Sequence, residues 1–268
     1  MTNSQRLTIL KTWSMLLCLL WGTLAFAQGV VVKRLPIESP QRVLFVGNSY
    51  MYYNDSLHNH VKRLASAADA SMEKTLKYKS ATIGGAPLWH HNIVHLTTPG
   101  NLGIKEPFEL VIMQGNSTDA LSDKTRAKFR EIAIEFSGVI TQRGTSVALY
   151  MTPAHLAPSK SASPQMMGQV RDMYVSVGNE IKALVIPVGL AFEEAYRQRP
   201  SIKLHQDYDG SHPTLIGTYL AACTVYASVY GKSPVGNSYD YFGKISQEDA
   251  AFLQKIAQET VQKFYANY

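Results

Sequence analysis

The sequence predicts an α/β fold in which a parallel sheet is covered by helices on both faces. Three observations lead there. Short, continuous apolar runs have the character of strands buried on both sides. Amphipathic stretches with apolar residues at helical spacing lie between them. The two kinds of segment alternate along the chain, with no internal repeat and no linker long enough to divide it into domains. The 268 residues are 46% hydrophobic and 17% charged, enough to bury a core and too apolar for a disordered chain. No apolar run reaches the roughly 18 residues of a membrane span, so a polytopic membrane protein is excluded.

Residues 1–27 read as a secretory signal peptide. Arg6 and Lys11 supply a positive start, 12–24 is an apolar stretch short for a bilayer span, and Ala25 and Ala27 place the cut before Gln28. The other reading is a short anchor that is not cleaved. Residues 28–268 then form one exported domain, secreted or periplasmic. Losing Arg6 and Lys11 takes the net charge from +6 to +4, which is not the footprint of a dedicated nucleic-acid binder. Of the two cysteines only Cys223 lies beyond the signal, so neither a disulfide scaffold nor a Cys-rich zinc module is expected. Its neighbours Leu220, Ala221 and Ala222 mark it as a small buried hydrophobe.

The predicted strands are 43–46, 76–82 (the most polar), 110–113, 147–151 and 184–188. The predicted helices are 55–70, 122–143, 165–183, 189–197 and 213–230. A final helix opens on the capping box Ser246-x-x-Asp249 and carries Leu253, Ile256, Ala257, Thr260 and Phe264 on one stripe. Residues 157–164 form a Ser/Pro loop after the fourth strand, a candidate rim or lid.

In open α/β sheets ligands bind beyond the carboxyl ends of the strands, which directs attention to the turns there. The first strand ends in Gly47-Asn48-Ser49-Tyr50, a serine in a tight turn at a helix start. Met51 stands where a G-x-S-x-G elbow requires glycine, and neither a Walker A lysine nor G-x-G-x-x-G follows, so nucleotide binding lacks its usual loop. Asp209-Gly210-Ser211-His212-Pro213 supplies the complement. A serine nucleophile needs a base, the base needs a carboxylate to fix its tautomer, and an Asp three residues before a His can turn back onto the imidazole. Both segments have plainer readings, as helix caps and turns.

Together, Val43 to Tyr50 and Asp209-x-x-His212-Pro213 resemble the first and last blocks of the SGNH (GDSL-type) hydrolases. Between them, Ile83-Gly84-Gly85-Ala86 and Gln114-Gly115-Asn116-Ser117 are similar to the blocks that give the family its glycine and asparagine. Order and spacing match across nearly the whole mature chain. The resemblance implies a flavodoxin-like three-layer α/β/α fold with about five parallel strands, and ester hydrolysis without a metal or other cofactor. It implies Ser49 as nucleophile, His212 as general base and then acid, and Asp209 as its orienting carboxylate. The implied oxyanion donors are the N–H groups of Ser49 and Gly85 and the side-chain amide of Asn116. The sequence departs from the family pattern at Asn48 (for Asp), Tyr50 (for Leu) and the third block. Gly84 and Gln114 therefore remain rival donors.

Tyr50, Trp89 and His155 are candidate substrate contacts, and Met51, Tyr52 and Tyr53 follow Tyr50 after Ser49. Core packing is the commoner use of such side chains. His91 and His95, four apart, have a spacing zinc sites use, but no Asp or Glu stands at a matching offset and no metal is expected. The expected activity is hydrolysis of a carboxylic ester through an acyl-enzyme, with an O-acetyl group on carbohydrate as first substrate. A thioesterase or lysophospholipase, and a non-catalytic glycan-binding module, are the alternatives.

Overall fold

A computed structural model describes residues 29–266; the expected signal peptide at 1–27 lies outside them. Five strands, β1 (Arg42–Gly47), β2 (Lys77–Thr82), β3 (Leu110–Met113), β4 (Ser146–Tyr150) and β5 (Leu184–Ile186), form one sheet in the order β2-β1-β3-β4-β5. Every pairing is parallel. The helices are α1 (Ser49–Tyr52), α2 (Leu57–Ala68), α3 (Ile93–Thr97), α4 (Asp123–Thr141), α5 (Met166–Glu180), α6 (Val188–Gln198), α7 (Leu215–Tyr230) and α8 (Gln247–Ala266).

Alternation along β1 divides the core into two layers. Val43 and Phe45 pack with residues of α2, α6, α7 and α8, while Leu44 and Val46 pack with residues of α4 and α5. Helix α7 is buried almost throughout, because α2, α6 and α8 surround it. Its N-cap is Thr214, whose hydroxyl accepts the Gly217 N–H at 3.2 Å. The box at Ser246 caps α8 as expected, with the Asp249 N–H donating to Ser246 Oγ at 3.1 Å.

The boundaries differ from the sequence reading where backbone chemistry intervenes. Strand β5 stops before Pro187, which has no N–H to donate to a ladder. Helix α2 starts late because Asn54, Asp55 and Ser56 all have positive φ (54°, 71° and 63°). Helices α1 and α3 were not predicted; each spans a single turn or so, too short for a periodic signal. Among the described residues no helix is long and apolar enough to cross a membrane.

The register brings the site together. Val46 pairs with Met113 and Gly47 with Thr82, so β1, β2 and β3 end level. Chain order reverses on either side of β1, the switch point where a crevice opens in such sheets. The loops beginning at Asn48, Ile83 and Gln114 all start there.

Candidate active site

Asn48 closes β1 and caps α1, its Oδ1 accepting the Tyr50 N–H at 3.3 Å. This places Ser49 at the first position of α1, where helix geometry leaves the N–H without an intrahelical acceptor. Gln114 secures the turn from β3. Its Oε1 accepts the Asn48 N–H at 3.1 Å and its Nε2 donates to Asn48 Oδ1 at 2.9 Å and to the Gly115 carbonyl. A Cβ at Gly47 would stand 2.6 Å from Gln114 Oε1, so any other residue there would displace the side chain that secures the turn.

Ser49 Oγ lies 2.8 Å from His212 Nε2, and His212 Nδ1 lies 2.5 Å from Asp209 Oδ2. Asp209 Oδ1 accepts the N–H groups of Ser211 (2.8 Å) and His212 (3.0 Å), which folds the loop back on itself. Partial burial works against a charge on Asp209, but these hydrogen bonds and the His212 ring outweigh it and hold the carboxyl below the usual range. An ionised Asp209 fixes the proton of neutral His212 on Nδ1 and leaves Nε2 free to accept from the Ser49 hydroxyl. Ser49 is 5% exposed, beyond the carboxyl end of β1.

Residues 83–86 form a turn closed by the Ala86 N–H on the Ile83 carbonyl (3.1 Å), with Gly85 at φ +67°, the conformation a type II turn demands at its third residue. Among the described residues no acceptor takes the Gly85 N–H. Asn116 Nδ2 donates to the Gly85 carbonyl at 3.0 Å. Its Oδ1 is held by the N–H (3.1 Å) and hydroxyl (2.9 Å) of Thr118, so the amide nitrogen is the end turned toward the glycine turn. Asp119 steadies the same loop by accepting the Asn116 N–H at 2.7 Å; burial raises its carboxyl to about 6 against that hydrogen bond. The two rival donors differ in position. Gln114 is fully buried with its amide spent between β1 and β3, and Gly84 sits beneath the Tyr52 hydroxyl.

Tyr50 is buried, its hydroxyl 2.8 Å from Ser211 Oγ, and burial pushes its phenol up to about 12. His155 is also buried, with Nε2 on Ser211 Oγ (3.1 Å) and Nδ1 on Ser159 Oγ (2.8 Å). Burial lowers its imidazole below the ordinary value although Asp209 opposes the shift. Trp89 is half-buried against the layer of α4 and α5. Aromatic residues beside His212 include Tyr53, stacked on its ring with centroids 4.4 Å apart, and Tyr208, whose hydroxyl lies 3.3 Å from that of Tyr53. Sequence reasoning missed Tyr208 and Ser211 as members of the site. Their only signal was proximity to Asp209 and His212.

The 157–164 loop, expected as a rim or lid, is tied to the site through Ser159. Ser159 holds His155, and the Leu156 N–H donates to the Gly210 carbonyl at 2.8 Å. Asn54 adds a further tie, its Nδ2 donating to the Pro213 carbonyl (3.0 Å) and Thr218 Oγ1 (2.8 Å). His91 and His95 diverge: His91 Nε2 meets the Gly47 carbonyl, while His95 Nδ1 faces Asn101. Among the described residues no cluster of three His, Cys, Asp or Glu side chains is arranged to hold a metal.

No protein-family model and no curated protein matches the chain. Solved structures do. A DUF4886 family protein from Bacteroides uniformis matches at 17% identity over 82% of this chain and 94% of its own, with a TM-score of 0.62. A protein assigned to the SGNH hydrolases, from Slackia heliotrinireducens, matches at 20% identity over 71% and 99%, with a TM-score of 0.56. An acetyl xylan esterase matches at 16% identity over 70% and 98%, with a TM-score of 0.55. At such identities the likeness establishes the fold: five parallel strands flanked by helices, as in SGNH hydrolase structures.

Proposed function

We propose that the protein is an exported serine esterase that hydrolyses carboxylic esters through an acyl-enzyme, with O-acetyl groups on carbohydrate as its substrate. The observation that carries the reading is the hydrogen-bonded chain from Ser49 Oγ through His212 to Asp209. Ser49 Oγ attacks the ester carbonyl while His212 Nε2 takes its proton. The oxyanion that develops is held by the N–H groups of Ser49 and Gly85 and by Asn116 Nδ2, which turns from the Gly85 carbonyl to the new charge. His212 then protonates the departing alkoxide as the C–O bond breaks, leaving acyl-Ser49 and free alcohol. Water attacks that ester with His212 again as base, releasing the acid and restoring Ser49. Asp209 stays ionised throughout and stabilises the imidazolium.

The acetyl xylan esterase among the structural neighbours supports the choice of substrate class. Export rests on the residues of 1–27 alone. Hydrolysis of p-nitrophenyl acetate by the wild type and by Ser49→Ala tests the reading. Turnover that disappears in the variant supports it; turnover that survives the substitution, or none in the wild type, overturns it.

A further inference from the structure

Nine large hydrophobic side chains are exposed among the described residues, and four of them, Tyr52, Ile83, Leu156 and Tyr208, stand on the segments that carry Ser49, the glycine turn, His155 and His212. Each is attached to a segment that builds the site. Ile83 precedes the glycine turn, and its N–H bonds to the Gly47 carbonyl at 3.1 Å. Leu156 is tied to Gly210, and Tyr208 precedes Asp209. Tyr52 closes α1 and stacks on Tyr53 with ring centroids 5.5 Å apart; Tyr53 in turn stacks on His212. The Tyr52 hydroxyl lies over Gly84, 3.2 Å from where a Cβ would stand. An aromatic ledge thus runs from the glycine turn to the catalytic imidazole, with Tyr208 66% and Tyr52 40% exposed.

We infer that Tyr52 and Tyr208, with Tyr53 in contact with both, form a ring-stacking subsite for the sugar portion of a carbohydrate ester, on the side of His212 from which the alcohol leaves. The inference rests on the esterase reading. Clusters of exposed apolar groups on a soluble protein mark binding surfaces. The openness of this one selects the occupant. A fatty chain laid on an open ledge would leave half its surface in water. A pyranose covers a tyrosine ring with its C–H face and keeps its hydroxyls in water, within reach of the phenolic oxygens. The ledge adjoins His212, which protonates the leaving alcohol, so it receives the alcohol and not the acyl group.

Steady-state kinetics on chemically O-acetylated xylo- and cello-oligosaccharides, beside p-nitrophenyl acetate, test the inference in the wild type, Tyr52→Ala, Tyr208→Ala and Tyr208→Phe. Tyr208→Ala is expected to lower the ratio of kcat/KM for oligosaccharide over p-nitrophenyl acetate by about three- to tenfold. The loss falls in KM, and Tyr208→Phe keeps most of the ratio. An unchanged ratio in both alanine variants overturns the subsite. So does a wild type that cleaves p-nitrophenyl acetate but neither oligosaccharide, an outcome that leaves the esterase reading standing. If the wild type cleaves nothing, that reading fails, and calorimetric titration of Ser49→Ala with the unacetylated oligosaccharides decides the subsite. Saturable binding weakened by Tyr208→Ala supports it, and absence of binding overturns it.

Discussion

The hydroxyls of Tyr50 and Ser211 meet at 2.8 Å, one residue after Ser49 and one residue before His212. The contact between Ser49 and His212 therefore has a neighbouring rung, formed by the next residue on each segment. His155 holds Ser211 from the other side, and Leu156 bonds to Gly210, so the loop carrying the imidazole is braced by α1 and by the segment after β4.

Ser211→Ala removes this rung and leaves Ser49, His212 and Asp209 in place. The expected result is a fall in kcat of about tenfold, the scale of one hydrogen bond, with a smaller change in KM. Ser211→Thr, which keeps the hydroxyl, restores most of the rate. Steady-state kinetics on p-nitrophenyl acetate check this, and an alanine variant with wild-type kcat would show that the rung positions nothing.

Asn116 and Gln114 are the two rival side-chain donors, and substitution distinguishes them. Asn116→Ala is expected to lower kcat by about a hundred- to a thousandfold, the typical cost of one oxyanion donor, with little effect on the unfolding midpoint. Gln114→Ala leaves the buried Asn48 N–H without its acceptor, takes one of two hydrogen bonds from Asn48 Oδ1 and from the Gly115 carbonyl, and is expected to destabilise the fold by about 1–3 kcal/mol. Denaturant unfolding beside kinetics distinguishes the pair; the reverse pattern would make Gln114 the donor.

Asp209→Asn replaces a group that only accepts by one that can also donate to His212 Nδ1. A ring that accepts there carries its proton on Nε2 and cannot take the Ser49 proton. A loss in kcat of at least about a hundredfold is expected, with KM much less affected. Activity near that of the wild type would show that the carboxylate does not set the tautomer.

Stability should depend on pH through two buried groups acting in opposite directions. Burial lowers His205 from 6.5 to about 4, so between these values the unfolded chain binds a proton that the folded one refuses. Its contribution, on the order of 3 kcal/mol, is complete above 6.5 and lost as pH falls to 4. Burial raises Asp119 from 3.8 to about 6, so there the folded chain binds the extra proton and stability falls as pH rises through that window. His205→Gln should therefore flatten or invert the rise of Tm between pH 4 and 6.5, and Asp119→Asn should steepen it. Unfolding curves at several pH values check both slopes; slopes unchanged by either substitution would contradict these assignments.

Much of this was legible in the sequence because its signals are local or periodic. Residues 110–113 read as a strand from four apolar residues in a row and form β3 over that span. The Asp209-x-x-His212 pair is short enough in sequence to be read as a contact. The Tyr50–Ser211 rung spans 161 positions and joins two hydroxyls without any pattern, so only folding reveals it. Tyr50 and Tyr52 show the same limit. Both stand in one aromatic run, yet α1 turns Tyr50 inward and leaves Tyr52 at the surface, and so short a helix has no sequence period to announce which.

Covalent trapping of Ser49 tests its activation by His212. A p-nitrophenyl alkylphosphonate, attacked at phosphorus by an activated serine, should add its phosphonyl group once per chain and release one equivalent of p-nitrophenol. Peptide mass spectrometry should place the added mass on Ser49, and both His212→Ala and Ser49→Ala should abolish it. Stoichiometric labelling at another residue, or labelling that persists without His212, would contradict the claim that Ser49 is activated by that imidazole.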